Sequence, residues 1–180
     1  MEEFENWQEA AGGLVAMITI APELDGAIDY LREIAKRGVI VSLGHSDASE
    51  EDIYKATDAG ARMSTHLGNG LSATLPRHPN VVWAQLAEDR LSASLILDGH
   101  HLPSSTAQVI IRAKGIERVV LVSDSVKFAG MPPGRYSSPI GGDVEVSGNG
   151  RVSIFGTQFL AGSGVCLLYT SPSPRDSDSS

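Results

Sequence analysis

The feature that most constrains this chain is an alternation of two hydrophobic periods that runs unbroken from Leu14 to Ser123. Short, mostly apolar runs recur at Leu14–Ala21, Val39–Leu43, Leu91–Leu97 and Val119–Ser123, the first rich in β-branched residues. Between them the period lengthens. Asp25–Lys36 sets Ile28, Leu31, Ile34 and Ala35 on one helical stripe, and Gly38 follows as a stop. Ser49–Ala59 opens with Ser-x-x-Asp, a capping-box pattern with acids in the first turn, and ends at Gly60. Arg62–Thr65 reads as a short strand and Asn80–Asp89 as a short helix. Pro103–Lys114 reads as a helix with Pro in its first turn and Gly115 after its end. The order is β-α-β-α-β-α-β-α-β. Strands apolar on both faces, alternating with helices, need a parallel sheet covered by helices. The expected class is α/β, a partial (β/α)8 TIM-like barrel of about five βα units, because 180 residues fall short of the roughly 250 of a complete barrel. After Asp124 the pattern changes. Gly130–Gly156 is rich in Gly and Pro, and its runs DVEVS and RVSIF flank Gly-Asn-Gly. They predict a β-hairpin with an Asn-Gly turn, inserted near the C-terminal end.

A formal net charge of −8 argues against nucleic acid or an anionic membrane as partner, since both select basic patches. It leaves room for a small anionic substrate, which needs only one or two local cations. No apolar run approaches the roughly 18 residues of a membrane-spanning helix. MEEFENWQEAAGG lacks the basic and apolar regions of a signal peptide, so a cytoplasmic setting is expected. The single Cys166 excludes an intramolecular disulfide and a multi-Cys zinc site. From Cys166 the chain becomes Ser/Pro-rich without amphipathic period, and CLLYTSPSPRD, residues 166–176, resembles a translated sequencing adapter. The expected organisation is therefore a barrel domain over 1–165 and a disordered, artefactual tail over 166–180.

The chemistry is concentrated where strands end. Leu14–Ala21 is followed by Pro22-Glu23, Val39–Leu43 by Gly44-His45-Ser46, and the Arg62–Thr65 strand by His66. Leu91–Leu97 is followed by Asp98-Gly99-His100-His101, and Val119–Ser123 by Asp124. In a parallel sheet these ends share one face, and in a closed barrel that face is where active sites are built. A Glu with two or more His suits a divalent metal with a position left for water. Such a metal lowers the pKa of its water to about 7, and a further carboxylate can then move protons. Asp124 suits that role. Singly, a strand-end His more often hydrogen-bonds than ligates, a strand-end Asp often caps a turn, and Asp98-Gly99 also reads as a turn. His78, in PRHPN, reads as a structural loop residue.

Over about Gly13–Gly164 the chain resembles the central and later part of the N-acetylglucosamine-6-phosphate deacetylases of the amidohydrolase superfamily. The motifs are TIAPE (Thr19–Glu23), SLGHSDAS (Ser42–Ser49), THLGN (Thr65–Asn69), DGHH (Asp98–His101), LVSDS (Leu121–Ser125) and LAGS (Leu160–Ser163). The resemblance implies a divalent cation, Zn2+ foremost with Fe2+ or another as alternatives, held by Glu23, His45 and His66. It implies Asp124 as the acid/base and His101 as the group that polarises the substrate's acetamide carbonyl. It implies Asn69, Gly70 and Arg77 as contacts to a phosphorylated amino sugar, and a homodimeric parent. The family commonly reads HLxNAM where this chain has HLGNGL, and TDA where it has SDS; the first difference bears on substrate identity. The family's first segments and last strands have no counterpart here, so an inactive, poorly soluble fragment is expected. Two other readings stand beside this one: an amidohydrolase for a different N-acyl amino sugar or cyclic amide, and a non-catalytic truncated barrel.

Overall fold

The computed structural model describes residues 1–137 and 142–166. The stretch expected to be a tail lies, from Leu167 on, outside the described residues.

The predicted alternation is present. Strands β1 (Met17–Ile20), β2 (Ile40–Leu43), β3 (Ala61–Ser64), β4 (Ser92–Leu95) and β5 (Val119–Leu121) form one sheet in chain order. The pairs from β1 through β4 are parallel, with Met17 opposite Ile40 and Ile20 opposite Leu43. The connections carry helices α2 (Ala27–Lys36), α3 (Glu50–Ala59), α4 (Val81–Ala87) and α5 (Ser104–Lys114). β1, β2, β4 and β5 are shorter than their apolar runs, and β3 is shifted by one residue from Arg62–Thr65. Residues left over at C-terminal ends, such as Ile96 and Leu97, begin the loops that lead to the strand-end His and acidic residues.

The helix starts follow from capping. Ser49 accepts from the Asp52 N–H at 3.2 Å, while the Asp52 carboxylate accepts from the Ser49 N–H at 3.0 Å, completing the reciprocal box. Asn80 caps α4 by accepting from the N–H groups of Val82 and Trp83.

Two elements escape the periodicity. Helix α1 (Glu2–Ala10) precedes the first strand, with Glu2, Glu3 and Glu5 in its first turn. Its one fully buried anchor, Phe4, enters the core with Leu31, Ile34, Val41, Leu43 and Ile53. Arg37 pairs with Glu5 at 2.5 Å and lies over the Phe4 ring, and Gln8 brackets Val15 with a donated and an accepted bond. The second is β6 (Gly134–Tyr136). It joins the predicted hairpin, β7 (Val144–Val146) and β8 (Val152–Ile154), in a three-stranded antiparallel sheet over a small core of Phe128, Val144, Val146 and Val152.

The chain divides into two compact units. One comprises Met1–Leu95 with Gln108–Val120, the other Ile96–Ala107 with the residues from Leu121 on. No helix among the described residues is long and apolar enough to cross a membrane.

A buried polar cluster in the first unit sets a pH dependence. The Glu88 carboxylate accepts from the Arg90 backbone N–H, from Nε and Nη2 of Arg90, and from Thr57 Oγ1. Arg90 is also paired with Asp58 at 2.7 Å. The hydrogen bond from Arg90 is the main cause that holds the Glu88 pKa down at about 2. A carboxyl depressed in the folded state contributes stability that is complete above its ordinary pKa and is lost as pH falls toward 2, here roughly 3 kcal/mol. Lys114, fully buried, donates to the Glu88 carbonyl at 2.7 Å, and burial lowers its pKa to about 8. The pH slope has the same sign: the folded state gains stability as pH rises above 8, because the unfolded amine stays protonated longer. Urea unfolding of the chain should show a midpoint that falls between pH 4.5 and 2. Glu88→Gln should flatten that acid limb. An unchanged acid limb would remove Glu88 as its source.

Candidate active site

The catalytic candidates lie in the loops just beyond the strands, and their backbones are unusual. Among the described residues three non-glycine positions have positive φ: His45 at 52°, His66 at 31° and Asp124 at 50°. His45 and His66 stand two residues past the ends of β2 and β3, and Asp124 three past β5. Left-handed backbone is uncommon outside Gly and costs on the order of 1 kcal/mol or more. Surrounding structure must hold it. For His66 this structure is visible. Its N–H donates to Ser94 Oγ at 2.7 Å, the same hydroxyl donates to the Ser64 carbonyl at 3.1 Å, and the Leu67 N–H donates to the Ser94 carbonyl at 2.9 Å. Ser94 of β4 thus fixes the loop after β3. Thr65 is held by the hydroxyls of Ser42 and Thr19.

The result brings two imidazoles together. The Nε2 atoms of His45 and His66 are 2.9 Å apart, and the rings meet edge to face with centroids 4.7 Å apart. Two ring nitrogens so placed share one proton or one cation. Gly70 packs under them. A Cβ there would stand 2.9 Å from His45 Nδ1 and 3.0 Å from His66 Cε1, and its φ of +64° already excludes most side chains. The Gly that departs from the family pattern is therefore the residue this loop conformation requires.

Glu23 is held at the same strand-end loops but with other partners. Its oxygens accept from Ser46 Oγ and from the Asp47 N–H, both at 2.7 Å, the two residues that follow His45. Among the described residues no three His, Cys, Asp or Glu gather as a metal-holding group. The paired imidazoles fit as metal donors by chemistry and convergence. Asn69 folds back on His66, donating to its carbonyl from the backbone and, at 3.3 Å, from Nδ2. Arg77 is exposed in the loop before α4. Asp47 accepts from Ser72 Oγ at 2.7 Å, tying the loop after β2 to the one after β3.

In the second unit, the DGHH segment forms a compact turn. Asp98 Oδ1 accepts from the N–H groups of His100 and His101, both at 2.9 Å, and Oδ2 is 2.7 Å from His101 Nδ1. Both side chains are almost fully buried, at 5% for His101 and 4% for Asp98. Burial works to raise the Asp98 pKa, but the hydrogen bonds from His101, His100 and Ser163 outweigh it and hold the carboxyl below its ordinary value. Asp124 is exposed, and its carbonyl accepts from the Ser163 N–H at 2.9 Å. Ser46, Ser94, Asp98 and Ser163 were not singled out as functional from the sequence. The available signal was a hydroxyl or acid inside an otherwise apolar or Gly-rich motif.

Fold and strand-end groups together define a βα-repeat protein of the barrel type, with its candidate groups beyond the C-terminal ends of the strands. Comparison with known proteins makes this particular. The chain is 36% identical over 163 residues to N-acetylglucosamine-6-phosphate deacetylase of Bacillus subtilis, a match to 91% of this chain and 40% of that protein. It is 39% identical over 122 residues to N-acetylgalactosamine-6-phosphate deacetylase of Escherichia coli O157:H7, covering 67% of this chain and 32% of that protein. Its fold superposes with a TM-score of 0.83, at 32% identity, on a mutant N-acetyl-D-glucosamine-6-phosphate deacetylase from Mycobacterium smegmatis in complex with N-acetyl-D-glucosamine-6-phosphate. That match covers 92% of this chain and 43% of the other. No family model matches the chain. Most of these relatives and the solved structures are N-acetylglucosamine-6-phosphate deacetylases, and it is these that the chain matches over most of its length. It spans about 40% of the length of the curated relatives.

Proposed function

We propose that this chain supplies the core of the active site of a hydrolase that removes the acetyl group from N-acetylglucosamine 6-phosphate. The observation that carries the reading is the convergence of His45 and His66 on strained strand-end loops, in a chain that matches deacetylases over 91% of its length. His45 and His66, joined by Glu23, would hold a divalent cation. When bound, that cation supplies Lewis acidity and makes water nucleophilic at neutral pH. Zn2+ suits this donor set, and Fe2+ is an alternative.

The chain's own residues do the rest. Asp124, exposed and held in a left-handed turn, takes a proton from water as the oxygen attacks the acetamide carbon. His101 donates to the carbonyl oxygen and stabilises the negative charge that forms there. The C–N bond then breaks, and Asp124 returns the proton to the departing amine nitrogen. The products are acetate and the free amino sugar phosphate. Asn69, the Gly70 backbone and Arg77 are assigned to the sugar phosphate; the planar guanidinium of Arg77 matches phosphate oxygens. The parent protein is proposed to be a cytoplasmic homodimer.

The likeness to the galactosamine-type deacetylase, together with Gly70-Leu71 beside the phosphate segment, supports a second reading in which the sugar is the 4-epimer. The test is acetate release from both N-acetyl sugar 6-phosphates by the chain completed to the length of its relatives. Release from the gluco sugar that a chelator stops and a divalent metal restores is the expected result. Release from the galacto sugar alone would select the second reading. Release from neither would move the substrate to another N-acyl amine or a cyclic amide.

A further inference from the structure

The role proposed for His101 leaves open how its ring is held, and the second unit answers this with residues not yet assigned a function. Asp98 is acceptor-only when ionised. Its Oδ1 is occupied by two backbone N–H groups, and Oδ2 faces His101 Nδ1 at 2.7 Å. The proton of that contact must therefore sit on Nδ1, which leaves Nε2 as the nitrogen available to other groups. Ser163 completes the arrangement. It is fully buried, its Oγ accepts from the Val165 N–H at 3.0 Å and lies beside Asp98, whose pKa it helps to lower, and its backbone N–H donates to the Asp124 carbonyl at 2.9 Å. Its carbonyl accepts from the Val126 N–H at 3.1 Å, so the residues on both sides of Ser125 are tied to it. Gly162 beside it admits no side chain: a Cβ would stand 2.3 Å from Val126 Cγ1 and 3.2 Å from the Asp124 carbonyl oxygen, at a φ of +85°. The Leu160–Ser163 motif is thus a strap bonded to the left-handed turn of Asp124, with Ser163 lining the same cavity as Asp98.

We infer that Asp98 and Ser163 are positioning residues of the reaction: Asp98 locks the His101 ring with its proton on Nδ1, and Ser163 links that pair to the backbone that presents Asp124. This rests on the deacetylase reading for its catalytic consequence, but not for its geometry. A ring locked in this way can donate from Nε2 only when it also carries a proton there, so His101 would meet the developing oxyanion as a charged donor. Charge-assisted hydrogen bonds are roughly twice as strong as neutral ones.

The substitution that probes this is Asp98→Asn. The amide has one acceptor oxygen. If that oxygen keeps the two backbone N–H groups, the amide NH2 faces the ring, and Nδ1 must accept. The neutral ring then changes tautomer. Nitrogen NMR of the histidine-labelled chain, at an alkaline pH where imidazoles are neutral, reads this without any turnover. The His101 signal is identified by its loss in His101→Gln. The expected result is an Nδ1-protonated ring in the parent chain and an Nε2-protonated ring in Asp98→Asn, with Ser163→Ala giving a mixture. In the chain completed to its relatives' length, Asp98→Asn should lower kcat about 100-fold with KM nearly unchanged. A parent ring protonated on Nε2, or a tautomer indifferent to Asp98→Asn, overturns the inference. So does a variant that melts lower yet keeps its kcat. If the completed parent hydrolyses neither sugar, the deacetylase reading fails, and the NMR result alone decides the Asp98–His101 lock.

Discussion

Asp124→Asn should lower kcat about 1,000-fold in the chain completed to its relatives' length, within the range expected for loss of a general acid/base. KM and metal content should change little. The substitution is well suited to the site because Asn, like Asp, tolerates left-handed backbone, and Asp124 sits at φ 50°. The strand-end turn and its hydrogen bond from Ser163 should therefore survive. Asp124→Ala would confound the result, since Ala is strained at that φ. Rates of acetate release, measured beside zinc content, give the answer. Turnover within about tenfold of the parent would take the proton-transfer role away from Asp124.

His45→Ala should weaken divalent-metal binding by more than about 100-fold, beyond the 10- to 100-fold typical of losing a supporting residue. His45 and His66 present their Nε2 atoms to each other at 2.9 Å, so removing one leaves a single imidazole where two converge. Zinc titration of the chain by calorimetry is the measurement, and it needs no activity. His78→Ala, in the exposed loop before α4, is the control and should bind as the parent does. Equal affinity in His45→Ala and the parent would place the metal elsewhere. His66→Ala is the less clean variant, because His66 is buried and its backbone is tied to Ser94, so lost folding and lost ligation would be mixed.

Glu23 marks the limit of reading the site from motifs. Its position after β1 was legible, but not that its carboxylate would accept from Ser46 and Asp47, the two residues after His45. Which partner a carboxylate chooses is decided by rotamer and by competing donors, and neither is written in residue order. Asp98 is the converse case. Its Asp-Gly pair reads as a turn, and it does form one, accepting from His100 and His101. The same carboxylate also faces the His101 ring, so turn and functional group are one residue.

The sequence by itself determined the βα alternation, the helix starts at Ser49 and Asn80, the hairpin around Asn149, and the placement of Glu23, His45, His66, Asp98 and Asp124 at strand ends. All of these rest on local period and local capping, which act within a few residues. Only the tertiary structure decided the docking of α1 through Phe4, the addition of β6 to the hairpin, the left-handed backbones of His45, His66 and Asp124, and the meeting of two imidazoles 21 positions apart. Each of these depends on partners distant in the chain. Ser94 holds a loop 28 residues before it, and Ser163 holds the turn of Asp124, 39 residues before it. Strained backbone persists only where such distant contacts over-determine it, and that condition exists only once the chain has folded.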